Sequence, residues 1–186
     1  MSPDEFFAAL GSVGEDGILP TFVYQSAFAG GVEALPGRPG TAVIDLAEGT
    51  WIAWGDDPES SQMPVVVSVT GAFPADVAEP DADVLSTLVE FGIMMDGNLV
   101  AGEHVLRVEN LGAQPHFLEL AKVPTGTTDE DLAALLNSFM TGTPTAGGLT
   151  EEDFEEGVYT PTQSIGTVTW TKMSLEAGTY AAMCWF

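Results

Sequence analysis

The chain has 186 residues, of which 45% are apolar, and four basic side chains stand against 28 acidic ones, for a net charge of −24. The apolar fraction is ample for a packed core. A surface this acidic repels nucleic acid and anionic membranes at long range, which disfavours both as partners, whereas a basic protein or a cation is attracted. The surplus acid also serves simply to keep the surface solvated.

Targeting and redox signals are sparse. The chain begins Met1-Ser2-Pro3-Asp4-Glu5, without a basic region ahead of an apolar stretch, and no window approaches the ~18–20 apolar residues of a membrane span. We therefore expect no membrane span and no signal peptide in this chain, so that the signal of an exported parent would lie upstream. The single cysteine, Cys184, cannot form an internal disulfide.

Signals for a helix start occur at three places along the chain. The first follows Ser2, because a capping Ser, a Pro at the first helical position and Glu5 precede an apolar run. The second lies near 128–139, where Thr127 and Glu130 have the spacing of a capping box. The third would begin at Thr150, within a Gly- and Thr-rich stretch at 141–164 that is otherwise expected to be a long loop.

Most of the remaining sequence is typical of β-strands. Its apolar runs are rich in Val, Thr and aromatic residues and are separated by Gly, Pro and Asp. The sequence predicts an all-β fold with one or two short helices in long loops. The predicted strands are Thr41–Leu46, Thr50–Trp54, Pro64–Val69, Leu85–Met94, Glu103–Glu109, His116–Ala121, Gly166–Met173 and Thr179–Trp185.

Two stretches of the chain resemble each other. Residues 40–51 and 166–180 both run from Gly-Thr through a strand to Gly-Thr and an aromatic residue, and a similar helix start precedes each. We interpret this as an internal repeat, with chance similarity as the alternative. Residues 1–71 are then the back half of a degenerate repeat, and 72–84, rich in Pro, Ala and acid, are a linker to a domain at 85–186.

Two segments carry residues suited to metal chemistry. Pro115-His116 opens a predicted strand after the strand that ends near Asn110, and Gly178-Thr179-Tyr180 leads through a strand to Cys184. Thiolate and imidazole are the ligands expected of a copper or zinc site, and strand ends can hold them rigidly. His116, Leu118 and Leu120 share one face of their strand, which directs the imidazole inward.

The motifs Asn110-x4-Pro115-His116 and Gly178-Thr179-Tyr180-x3-Cys184 resemble those of the cupredoxins, the plastocyanin- and azurin-like type 1 copper proteins. The resemblance covers residues 85–186 and implies a cupredoxin-like Greek-key β-sandwich. It also implies that His116 and Cys184 are copper ligands, that the protein transfers electrons, with a basic redox protein as its possible partner, and that it is extracytoplasmic.

The match to the family's ligand set is partial. A blue-copper centre needs two histidines, a thiolate and a weaker axial ligand. The family's second histidine and methionine follow the cysteine, whereas this sequence stops two residues after Cys184. His104 lies ~20 Å from the far end of its strand and is interpreted as a packed or hydrogen-bonded residue. Met183 points to the opposite face from Cys184.

A missing final strand would leave an unpaired sheet edge in the 85–186 domain. Residues 64–70, the closing strand of the first copy, are hypothesised to fill that vacancy. The first copy itself is expected to bind no metal, because Gly55 stands where Cys184 does and the following Asp56, Asp57 and Glu59 lack the spacing of a calcium loop.

Two functional classes remain open. The first is a copper-binding or electron-transfer module, and the alternative is a metal-free β-sandwich with a structural or recognition role, in which Cys184 is a small buried hydrophobe. An enzyme is not expected, because the sequence contains no Gly-x-Ser-x-Gly, no phosphate-binding loop followed by Lys and no His-Glu-x-x-His.

Overall fold

A computed structural model describes residues 25–34, 39–55, 64–72, 76–143 and 146–184, together with positions 5, 8, 21, 37 and 74. It divides the chain into two compact units, one formed by 1–27 and 46–79 and the other by 28–45 and 80–186. The sequence predicts that 28–45 belongs with the first segment, 1–71. Strand pairing instead joins this stretch to the second unit, since Ala42–Ile44 runs antiparallel to residues 169–171.

The described part of the chain is mostly β, with a β-sandwich-like character. The strands are β1 (Ala42–Ile44), β2 (Gly49–Ala53), β3 (Val65–Val69), β4 (Val84–Val89), β5 (Gly92–Gly97), β6 (Gly102–Asn110), β7 (His116–Val123), β8 (Glu155–Gln163), β9 (Val168–Leu175) and β10 (Thr179–Met183). One α-helix, α1 (Asp129–Thr141), and a 3-10 turn (Glu151–Asp153) lie between β7 and β8.

The second unit contains two sheets. One has five strands in the order β1-β9-β6-β4-β5, in which β4 and β6 are parallel and the other pairs antiparallel. The other has three strands in the order β10-β7-β8, all antiparallel. One buried cluster joins the two sheets, because strands of the first contribute Leu88, Leu106 and Met173 and β7 contributes Leu118 and Leu120. The apolar faces of both sheets are thereby removed from water.

In the first unit, β2 and β3 form an antiparallel hairpin with Gly49 opposite Val69. This two-stranded sheet accounts for the pairing of β3. The hypothesis that residues 64–70 add to the 85–186 domain is therefore wrong, and the strand that joins that domain from upstream is β1. Whether 1–71 derives from a repeat stays a prediction.

The predicted helices have different outcomes. The helix near 128–139 is confirmed as α1. Its cap is Thr128, one residue later than expected, because the Thr128 hydroxyl accepts from the Asp131 N–H and the Asp131 carboxylate accepts from the Thr128 N–H. The short turn capped by Thr150 is confirmed as 3-10. The helix predicted after Ser2 falls mostly outside the described residues.

Two strand predictions need correction. The run Leu85–Met94 is not one strand but two, β4 and β5, joined by a two-residue turn at Glu90-Phe91. The stretch 141–164 is not a continuous loop, because its second half forms β8. The acidic residues and Gly157 at the start of β8 are unfavourable in strands, so they weaken the strand signal of the β-branched and aromatic residues that follow. There is no room for a Cβ at Gly157, since one built there would lie 1.6 Å from the carbonyl oxygen of Leu120.

Within the described residues, no helix is long and apolar enough to cross a bilayer.

Candidate metal centre

The candidate site lies where β7 begins and β10 ends. These strands are antiparallel neighbours, with Met183 opposite Glu119, so the start of one is at the same edge of the sheet as the end of the other. Cys184 follows β10 directly, and His116 is the first residue of β7. The structure brings their side chains together, with 3.5 Å between Cys184 Sγ and His116 Nδ1.

The distance fits two kinds of contact. Ligands that share one tetrahedral zinc ion, at about 2.3 Å for sulfur and about 2.0 Å for nitrogen, lie roughly 3.5 Å apart. The same separation suits a weak S–H···N hydrogen bond, in which the thiol donates to the unprotonated ring nitrogen. His116 is only 6% exposed, and Cys184 is half-buried.

Asn110 organises the turn that leads into His116. Its side chain is fully buried, and its Nδ2 donates to the carbonyl oxygens of Gln114, at 2.8 Å, and Gln163, at 2.7 Å. Its Oδ1 accepts from the Gly112 N–H at 2.8 Å. Asn110 belongs to the motif that precedes His116, and the structure gives it a role: it satisfies two backbone groups of the turn between β6 and β7, and the carbonyl oxygen of Gln163 at the end of β8.

The turn is also fastened to β4. The carbonyl oxygen of Leu88 accepts from the N–H groups of Leu111, at 2.9 Å, and Gly112, at 3.2 Å. Together with the Asn110 bonds, these contacts fix the backbone ahead of His116 in the folded protein.

Glu90 is a further residue of the site that sequence reasoning missed. It lies in the β4–β5 turn, and its Oε1 accepts from the backbone N–H groups of Ala113 and Gln114. Its own backbone N–H and these two donors hold the pKa of its carboxyl below the usual value. The same oxygen is 3.9 Å from His116 Nε2. A single acidic residue in a turn gives no indication in the sequence that its carboxylate will lie next to a histidine from another strand.

Gly112 permits this approach. A Cβ at position 112 would lie 2.8 Å from His116 Nε2 and 2.9 Å from Glu90 Oε1. Any larger residue would therefore have to displace one of the two side chains.

The turn that presents Glu90 is strained. Phe91, the next residue, has a φ of 60° and a fully exposed side chain. A bulky residue in the left-handed region is a conformational outlier, and such outliers concentrate at functional sites.

His104 lies apart from this cluster, in a hydrogen-bonding environment of its own. Its Nδ1 is 2.5 Å from Asp83 Oδ2, and its Nε2 is 2.7 Å from the Val100 carbonyl oxygen. The structure thus confirms a buried, hydrogen-bonded strand histidine, on the same face as Leu106 and Val108. The Val100 carbonyl and the Asp83 carboxylate raise the pKa of the His104 imidazole.

The described residues contain no group of three or more His, Cys, Asp and Glu side chains placed to hold a metal ion. Within this part of the chain, the candidate centre consists of one thiol and one imidazole. Asp56, Asp57 and Glu59, which the sequence analysis considered for a hard cation, fall outside the described residues.

Comparisons with known proteins identify no relative. No family model, no curated protein and no solved structure matches the chain.

Proposed function

We propose that the chain is a cupredoxin-like protein that binds copper through Cys184 and His116 and transfers electrons. The observation that supports this is the 3.5 Å approach of Cys184 Sγ to His116 Nδ1 at one edge of the sheet. The two residues are 68 positions apart in the sequence. Their sequence motifs alone predict both as metal ligands.

The thiol and the imidazole are donor types that copper takes, and their separation of 3.5 Å is compatible with a shared metal ion. A thiolate and an imidazole are the strongest ligands of a type 1 centre, which also needs a second imidazole and a weak axial ligand. The described residues supply the first two. Copper bound there would supply one-electron redox chemistry, and the protein would hold the donors rigid and shield them in part from water.

The remaining parts of the proposal come from the family resemblance. A Greek-key cupredoxin topology, an extracytoplasmic location and a basic redox partner are all proposed on that ground. The charge of −24 is consistent with attraction to a basic partner.

Copper titration followed by visible absorption tests this function. The wild-type protein should develop an intense thiolate-to-copper band and gain thermal stability, because a ligand that binds only the folded state stabilises it. Both effects should disappear in Cys184→Ala and in His116→Ala. Asp83→Ala, which alters a carboxylate outside the candidate centre, is the matched control and should retain the band.

The competing function is a metal-free structural or recognition module. It predicts a colourless protein whose melting temperature is the same with and without copper, and in which Cys184→Ala changes nothing that depends on metal. That result would reject copper binding by this chain.

A further inference from the structure

His116 has one buried ring nitrogen that its strand neighbours leave unpaired. Nδ1 faces Cys184, but Nε2 is buried and has no hydrogen-bond partner. An unpaired polar atom in a buried position is costly, so its surroundings have to stabilise it in some other way. The ionisable group next to it is the Glu90 carboxylate, at 3.9 Å.

Glu90 is not free to move away from the ring. Its Oε1 accepts from two consecutive N–H groups, those of Ala113 and Gln114, within the turn that carries His116. The carboxylate is therefore anchored to the same backbone as the imidazole. Gly112, without a Cβ, leaves the space between them open.

A neutral imidazole carries its proton on one nitrogen or the other, and the neighbouring groups decide which. A carboxylate oxygen near Nε2 attracts the N–H dipole and favours the proton there. A thiol near Nδ1 can donate to that nitrogen only when it is unprotonated. Both neighbours thus favour the same tautomer.

We infer that Glu90 is a positioning residue that keeps the proton of His116 on Nε2 and leaves the Nδ1 lone pair directed at Cys184. This inference deepens the proposed function and rests on it for its purpose, because a metal ligand must present an unprotonated nitrogen. Carboxylates that orient ligating histidines through a direct hydrogen bond are a general device of metal sites, and here the carboxylate acts electrostatically across 3.9 Å.

Long-range ¹H–¹⁵N NMR of the imidazole in the metal-free protein tests the inference without copper. The spectrum of the wild-type protein, recorded across a pH series, should show the Nε2–H form as the dominant neutral tautomer. A dominant Nδ1–H tautomer, or a ring protonated on both nitrogens throughout the series, would overturn the inference.

Glu90→Gln keeps an acceptor for the two backbone N–H groups but removes the charge. We expect the Nδ1–H population to rise on the order of fivefold, as the carboxylate at this short range is lost. Glu130→Gln, at the exposed start of α1, is the matched control and should leave the tautomer unchanged. An unchanged ratio in a folded Glu90→Gln protein would refute the role of Glu90.

Gly112→Ala provides a second variant if Glu90→Gln does not fold. Its Cβ would separate the two side chains, so the Nδ1–H population should rise there as well, and an unaltered tautomer would count against the inference. In copper titrations, Glu90→Gln should weaken binding by roughly 10- to 100-fold.

The two proposals can fail separately. A wild-type protein with the Nε2–H tautomer that binds no copper retains the inference and loses the proposed function. One that binds copper but carries the Nδ1–H tautomer in its metal-free form loses the inference alone.

Discussion

Replacing Asn110 with Ala should be among the most damaging single changes to the second unit. The side chain is fully buried and makes three hydrogen bonds of 2.7 to 2.8 Å, two as donor and one as acceptor. A typical intramolecular hydrogen bond contributes about 1 kcal/mol net, and a buried group left without its partner costs about 1–3 kcal/mol. Ala restores none of the three bonds. The Gly112 N–H keeps a second acceptor in the Leu88 carbonyl oxygen, but the carbonyls of Gln114 and Gln163 lose the side-chain donor, so we expect a loss of about 3 kcal/mol.

Urea denaturation of the wild type and Asn110→Ala measures this loss as a change in midpoint at constant slope. The control is Asn98→Ala, at an exposed position in the turn after β5, which should change the free energy of unfolding by no more than about 0.5 kcal/mol. Hydrogen exchange adds a local measurement: the Gly112 amide, which donates to Asn110 Oδ1, should exchange faster in the variant.

A loss below about 1 kcal/mol for Asn110→Ala would refute the reasoning, because the three backbone partners would then have found substitutes at little cost. Loss of stability with unchanged Gly112 exchange would also contradict it. That pair of results would place the damage outside the turn that carries His116.

Four further predictions follow from local geometry. His104 should stabilise the folded protein most at low pH. The difference in melting temperature between wild type and His104→Gln should be complete below the ordinary histidine pKa of 6.5. It should disappear as the pH rises through the raised pKa of His104 in the folded protein. Asp83 should stabilise the folded protein in the opposite pH range, because the His104 hydrogen bond is the main cause that lowers its pKa. This stabilisation should be present above pH 3.8 and lost as the pH falls through the lowered pKa of Asp83 in the folded protein. The difference in melting temperature between wild type and Asp83→Asn over acid pH measures it. Phe91→Asn should raise the free energy of unfolding by about 0.5–1 kcal/mol. Asn tolerates a φ of 60°, and the fully exposed ring of Phe91 contributes no packing that could be lost. A destabilised variant would contradict this. Thr128→Ala should cost about 1 kcal/mol in the same denaturation assay, through loss of the α1 cap, and an unchanged midpoint would contradict it.

The sequence predicts those parts of the fold that depend on local signals. The β content follows from runs such as His116–Ala121, and α1 follows from its capping residues, within one residue of the true start. Strand β8 was missed because its identity depends on pairing with β7 rather than on its own composition. The single strand predicted for Leu85–Met94 was wrong because its turn uses Phe91, a residue that turns seldom use at a positive φ.

The same distinction between local signals and long-range pairing applies to the residues of the candidate site. His116 and Cys184 are recognisable from the sequence because thiolate and imidazole carry metal chemistry wherever they occur. Glu90 and Gln163 cannot be recognised in this way, because their roles arise only when strands distant in sequence come together. Gln163, for example, is fully buried opposite His116, and its side chain donates to the carbonyl oxygens of Val108 and Thr167. The sequence around a buried glutamine or a turn glutamate contains no local pattern that predicts its hydrogen-bond partners.

The interactions that build the turn between β6 and β7 also set the geometry of His116. Asn110 satisfies the backbone on one side of the turn, and Glu90 binds two N–H groups on the other. These contacts come from the protein's own groups, which is the kind of support that the proposed electron-transfer site would require. Glu90 differs from Asn110 in two respects: it is partly exposed, and its carboxylate also faces the ring. Its charge can therefore be removed with little effect on folding, which separates the organisation of His116 from the stability of the turn.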